Sequence, residues 1–168
     1  MITVLVRVER GVEALAATLA SLVPGVVAGL VADAIVLTEG TNGDIARLAE
    51  VVGAALVIAP QGAWASAAAT ARREWVWCLL DGDAPGEDWI RAVGQFVSLA
   101  PMDGRMLGRP SYRPLASPAR TARLLEKAVG TRRVRAGDLI RRDLLAAPAF
   151  RVRPLALPTV VARDPAFR

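Results

Sequence analysis

The chain has 168 residues, 54% of them apolar, and carries a formal charge of +5 with one cysteine and no histidine; this is ample for a buried core and too apolar for a disordered segment. The single thiol, Cys78, excludes an internal disulfide and a cysteine zinc site. The missing histidine excludes Ser-His-Asp and Cys-His catalysis, leaving carboxylates as acid, base or metal ligand.

Ile2 to Val8 is β-branched and apolar, and Val12 to Val23 repeats apolar residues at helical spacing, so the chain opens as strand then helix. Arg7, Glu9 and Arg10 interrupt the first apolar run, and no cleaved signal peptide is expected. Ala14 to Ala32 is an uncharged run of 19 residues, but Pro24-Gly25 breaks it. A helix, a turn and a second short helical stretch are predicted there in place of a membrane span. Ala34 to Thr38 predicts the second strand, and Asp44 heads a helix with Ile45, Leu48, Ala49 and Val52 on one face and Gly53 as its stop. Ala54 to Ala59 predicts a third strand, alanine-rich Trp64 to Glu74 a helix, and Trp75 to Leu80 a fourth strand holding Cys78. A reducing, cytoplasmic setting fits that single thiol within an apolar run. Pro101 to Pro118, rich in Gly, Pro and Ser, reads as a loop or lid, and Asp138 as the cap of a helix through Ile140 to Leu144.

Strands alternating with helices predict right-handed crossovers and an α/β fold: a single three-layer α/β/α domain over 1–168 with a mostly parallel sheet. Residues 1–100 form its ligand-binding half, 101–118 the lid and 119–168 a basic half. Ligands in such sheets bind beyond the carboxyl ends of the strands, which here carry Glu9-Arg10, Glu39-Gly40, Pro60-Gln61-Gly62 and Asp81-Gly82-Asp83. Asp81 and Asp83, separated by a glycine, form a pair that can approach one hard divalent cation, or simply a turn that caps the next element.

Charge is uneven. Residues 1–104 hold 6 basic and 12 acidic side chains, residues 105–168 hold 15 and 4. The cationic third suits a diphosphate or an anionic membrane surface. Nucleic acid is not an expected partner, because the basic third holds only one tyrosine and two phenylalanines for base stacking.

From Gly29 to Ile90 the chain resembles glycosyltransferase family 2, especially its small bacterial members. Ile35-Val36-Leu37-Thr38-Glu39-Gly40-Thr41-Asn42-Gly43-Asp44 resembles the family's nucleotide-binding turn, with Glu39 where an Asp usually contacts the nucleoside. Gly62-Ala63-Trp64-Ala65-Ser66-Ala67 resembles the segment that follows, and Leu79-Leu80-Asp81-Gly82-Asp83-Ala84-Pro85 the metal-binding pair. The resemblance implies the GT-A fold, a nucleoside-diphosphate sugar as donor, Mn2+ or Mg2+ at Asp81 and Asp83, and transfer to a sugar or lipid-linked acceptor. Glu9, Glu39, Gly40, Gly62, Trp64, Asp81, Arg141 and Arg142 are then the donor-binding candidates, with Trp64 either stacking on a base or packing, and the arginines meeting a diphosphate or simply solvated. The family's catalytic acid is expected after Phe150, where this chain reads Arg151-Val152-Arg153-Pro154. Asp138 is the candidate to replace it, and a catalytically silent binding or scaffolding module at a membrane surface or on a partner enzyme is the other reading.

Overall fold

The computed structural model describes residues 1–59, 64–100, 106–113 and 130–167. The β-branched start forms strand β1 (Ile2–Arg7), followed by helix α1 (Val12–Val27), β2 (Val31–Thr38), α2 (Gly43–Val51), β3 (Ala55–Ile58), α3 (Trp64–Ala68) and β4 (Trp75–Leu80). A two-residue turn leads into β5 (Asp83–Pro85), then α4 (Trp89–Leu99), β6 (Leu107–Arg113), β7 (Leu139–Arg141), α5 (Arg142–Ala146), β8 (Leu155–Arg163) and a terminal 3-10 turn (Pro165–Phe167).

The eight strands make one sheet in the order β3-β2-β1-β4-β7-β6-β8-β5. β3, β2, β1 and β4 are mutually parallel. The other half is mixed: β7 is antiparallel to β4 and β6, β8 is parallel to β6, and β5 is antiparallel to β8. Because β5 follows β4 by two residues yet pairs at the far edge, the sheet curls back on itself.

Right-handed crossovers decide which face each helix covers. The chain steps from β1 to β2 to β3 in one direction, so α1 and α2 share a face; it then jumps to β4 on the other side of β1, which puts α3 on the opposite face. The core divides accordingly. Leu15, Leu22, Ile45, Trp89, Val93 and Phe96 pack with Val4, Val6, Trp77 and Leu79 on one side. Ala67, Ala68 and Leu145 pack with Leu5, Ile35, Val76, Cys78 and Ile140 on the other.

Three local expectations change. α1 continues through Pro24-Gly25, because Pro24 interrupts the ladder only near its last turn and Gly25 lets α4 approach: a Cβ there would lie 2.1 Å from the Trp89 ring. No helix is long and apolar enough to cross a membrane among the described residues. α3 stops at Ala68, since the chain beyond it takes tertiary partners: Thr3 Oγ1 accepts from the Arg73 amide, and the Ala71 carbonyl accepts from Arg142 Nη1. Leu107–Arg113 is a strand inside the stretch expected to be a loop, with Pro110 falling where the register with β8 slips and no ladder N–H is needed. Residues 101–105 and 114–118 lie outside the described residues.

Cys78 is fully buried in the middle of β4. Burial, and then the nearby Asp138 carboxylate, push its thiol up. The native protein is therefore expected to resist Ellman's reagent and to react only at its unfolding rate; prompt labelling of folded protein would contradict this packing.

Candidate functional site

Strand order reverses between β1 and β4, where the chain leaves one side of β1 and returns on the other, and such a switch point leaves a crevice at the carboxyl ends of the strands. Glu9-Arg10-Gly11 ends β1 and Asp81-Gly82 ends β4, so the sheet brings together two segments 70 residues apart. Glu39-Gly40, exposed at the end of β2, stands on the same rim. Its turn is tied by the Thr38 hydroxyl, which donates to the Gly40 carbonyl and accepts from the Gly40 amide at 3.1 Å. Asn42, and not Asp44, caps the following helix, accepting from the Asp44 and Ile45 amides at 3.0 and 3.2 Å.

Asp81 and Asp83 have no exposed surface. Asp81 Oδ2 accepts from the Arg10 and Gly11 amides at 2.5 and 3.0 Å, and Oδ1 lies 3.3 Å from Arg10 Nη1. Asp83 Oδ2 accepts from the Leu80 amide at 2.8 Å, while Oδ1 faces Arg163 Nη2 at 3.4 Å. Gly82, at φ +81°, makes the turn tight enough for both, and Phe167 of the terminal turn lies over it. A hard divalent cation requires about six oxygen ligands, several of them usually water. Here both carboxylates are sealed from solvent and already face arginines, and among the described residues no three carboxylate or thiol groups converge on one point. As folded, the pair does not fit Mn2+ or Mg2+.

Asp138 departs further from expectation. It caps no helix, because Leu139–Arg141 that follows is a strand. Its carboxylate has no exposed surface and is gripped by the Arg109 fork, Nε to Oδ1 at 2.7 Å and Nη2 to Oδ2 at 2.8 Å, with the Arg135 amide at 2.9 Å. Burial pushes the carboxyl above its ordinary value against the opposing pull of Arg109 and Arg135. Thus enclosed, it cannot touch an acceptor hydroxyl.

Arg141 and Arg142 lie at the wrong end of the sheet for a donor. β7 runs antiparallel to β4 and sets Arg141 opposite Trp75, the first residue of β4, roughly 20 Å from Asp81 at about 3.3 Å per strand residue. There Arg141 pairs with Glu74 at 3.0 Å and with Asp143 at 3.1 Å, and Arg142 donates to the Ala71 carbonyl. Trp64, the first residue of α3, packs on the core, and the Arg7 guanidinium covers its ring at 5.2 Å from the centroid. Packing is the role observed. Glu9 stays on the rim, paired with Arg7 and, at 3.9 Å, with Arg10. Gly62 lies outside the described residues.

Two further features went unread in the sequence. Arg163, the last residue of β8, reaches Asp83 only because Asp83 and Arg163 are cross-strand partners. A groove of about 290 Å3 opens between β8 and the start of α4, lined in part by Gly86, Glu87, Asp88, Ser111, Pro158 and Thr159. It exists because residues 157–159 bulge: Arg109 stands opposite Ala156 but Ser111 opposite Val160. The buried Thr159 hydroxyl in its wall has no hydrogen-bond partner among the described residues. Pro158 was the only signal of that bulge along the chain.

No protein-family model matches the sequence, and no curated protein matches it. Solved structures do. Glucosyl-3-phosphoglycerate synthase from Mycobacterium tuberculosis, in complex with Mn2+ and UDP-glucose, aligns with a TM-score of 0.64 at 20% identity over 90% of this chain and 60% of that one. S. aureus TarS 1–349, in complex with UDP-GlcNAc, aligns with a TM-score of 0.60 at 11% identity over 97% of this chain and 58% of that one. A further mycobacterial protein gives 0.62 at 20% identity, covering 97% and 67%. The chain thus spans about three fifths of the synthase and of TarS. At these identities the likeness is one of fold.

Proposed function

We propose, from the GT-A fold that the chain shares with these structures, that it is a glycosyltransferase-like domain of the family 2 type that binds a nucleoside-diphosphate sugar. The observation that carries this reading is the meeting of Glu9-Arg10-Gly11 with Asp81-Gly82 at the switch point, where sheets of this kind receive nucleotides. Glu39 and Gly40 would border the nucleoside and Arg10, a quarter exposed, would meet its phosphates. Calorimetry of the protein with UDP- and GDP-sugars tests it, with and without Mn2+. Binding at about 1:1 is expected for one donor class; no heat with either, in either condition, removes the donor site.

The groove beside the turn would admit the acceptor, a sugar or a lipid-linked hydroxyl, and Glu87 on its wall is exposed and close to the start of α4. A general base there normally contributes about 10²- to 10⁴-fold in rate. Glu87→Gln is expected to lower release of the sugar from its nucleotide by that range and to leave nucleotide affinity unchanged. Unchanged release would remove Glu87 from the reaction.

One observation favours a second reading, a binding module without turnover. Asp138, which the sequence offers as the replacement acid, is sealed on Arg109. Such a module would act in the cytoplasm against an anionic membrane surface or a partner enzyme through the basic third. Salt-sensitive co-sedimentation with anionic vesicles, together with no sugar release from any donor, would favour it over the enzyme.

A further inference from the structure

The charge at the acidic turn is already balanced from within the chain. We infer that Arg10 and Arg163 stand as built-in counter-charges where the resemblance places a divalent cation, so that the Asp81-Gly82-Asp83 turn receives an anionic diphosphate without a metal ion. The ligand named here rests on the proposed function; the exclusion of the cation does not.

The geometry is specific on both sides of the turn. Arg10 is held by Asp81 twice, through its own amide and through its guanidinium, whose Nη1 also lies 3.1 Å from the Asp81 carbonyl. Arg163 is fixed by the ladder: β8 pairs with β5 in the register Asp83↔Arg163, and the next residue closes the loop with a 2.8 Å bond from the Asp164 amide to the Gly82 carbonyl. The terminal turn then sets Phe167 against Gly82, so close that a Cβ at 82 would lie 2.9 Å from the Phe167 Cβ. A cation entering between the carboxylates would have to displace two arginines and this cover. It would also meet their like charge at short range in a desolvated pocket, where repulsion is least screened.

The same arginines have capacity to spare for an anion. Arg163 Nε is buried and has no hydrogen-bond partner among the described residues, a donor that an incoming acceptor oxygen would satisfy. The Arg10 and Arg163 side chains are 25% and 26% exposed beside carboxylates that are fully buried, so the groups the turn itself presents to solvent are guanidinium, with Glu9 3.9 Å from Arg10 on the rim. A guanidinium presents donors in a fork that matches phosphate oxygens.

Two measurements on the intact protein test the inference. In the first, the electron paramagnetic resonance signal of free Mn2+ is followed as protein is added without nucleotide. No uptake by wild type is expected; stoichiometric uptake that disappears in Asp83→Asn would overturn the inference whatever the ligand. In the second, UDP is titrated calorimetrically in EDTA and in Mn2+. Affinities equal within about twofold are expected, with Arg163→Gln weakening UDP by about tenfold or more in EDTA, the effect of losing a charge-assisted contact. Circular dichroism and thermal melting confirm that the variant folds. UDP binding that requires Mn2+ would overturn the inference, as would an Arg163→Gln protein that folds and binds UDP like wild type in EDTA. UDP binding in neither condition would remove the proposed donor site while the Mn2+ signal still decides on the cation.

Discussion

Asp138→Ala is expected to destabilise the protein by about 3–5 kcal/mol, the usual cost of removing one partner from a buried ion pair. The arginine left behind explains the size of the effect. Arg109 is only 12% exposed and points both Nε and Nη2 at Asp138, so without the carboxylate a charged fork remains in the sheet between β6 and β7. The Arg135 amide loses its acceptor as well. Urea denaturation should show the loss as a lower midpoint with an unchanged slope. The double variant Arg109→Met with Asp138→Leu is expected to recover most of it, because apolar residues of similar volume commonly replace a buried pair at little cost. If Asp138 instead served in catalysis, Asp138→Ala would fold as stably as wild type and lose only activity. A stability change below about 1 kcal/mol would therefore reverse the structural assignment.

Asp81→Ala carries the second large effect, about 3 kcal/mol, because it strands the Arg10 and Gly11 amides together and takes the buried carboxylate away from Arg10, whose guanidinium keeps only the Asp81 carbonyl and Glu9. These contacts fix the loop between β1 and α1 to the end of β4, so the crevice loses its shape along with its stability. Asp81→Asn keeps one carbonyl oxygen for the two amides and should cost about half as much by thermal or urea unfolding. Both variants are measured without added metal or nucleotide. A residue whose sole task was to hold a cation would show no loss under those conditions.

The two halves of the chain differ in how legible they were. β4 falls on the Trp75 to Leu80 expected from its apolar run, and β1, β2, α2 and β3 lie within a few residues of their expected places, because period-2 and period-3.6 patterns are local. The acidic turn is likewise placed by sequence, since Gly82 between two aspartates after a buried strand specifies a tight turn. Beyond Asp88 the local signal weakens. Pro110 and Gly108 argue for a loop, yet β6 forms because β7 and β8 supply its ladder partners from far along the chain. Pro24 argues for a break, yet α1 continues because Gly25 admits Trp89.

What the sequence determined by itself was the alternation of strand and helix through β4, hence the parallel core, the switch point and the acidic turn beside it. Tertiary structure alone decided what those acids do. Whether an aspartate binds a metal, serves as a base or anchors an arginine depends on which groups face it and how much water reaches it. Asp83 meets Arg163 across a strand pair 80 residues apart, and Asp138, just before β7, meets Arg109 of β6, 29 residues away. Antiparallel pairing also sends Arg141 and Arg142 to the far end of the sheet. Register and strand direction are long-range properties, and they turned the same carboxylates from open ligands into closed ion pairs.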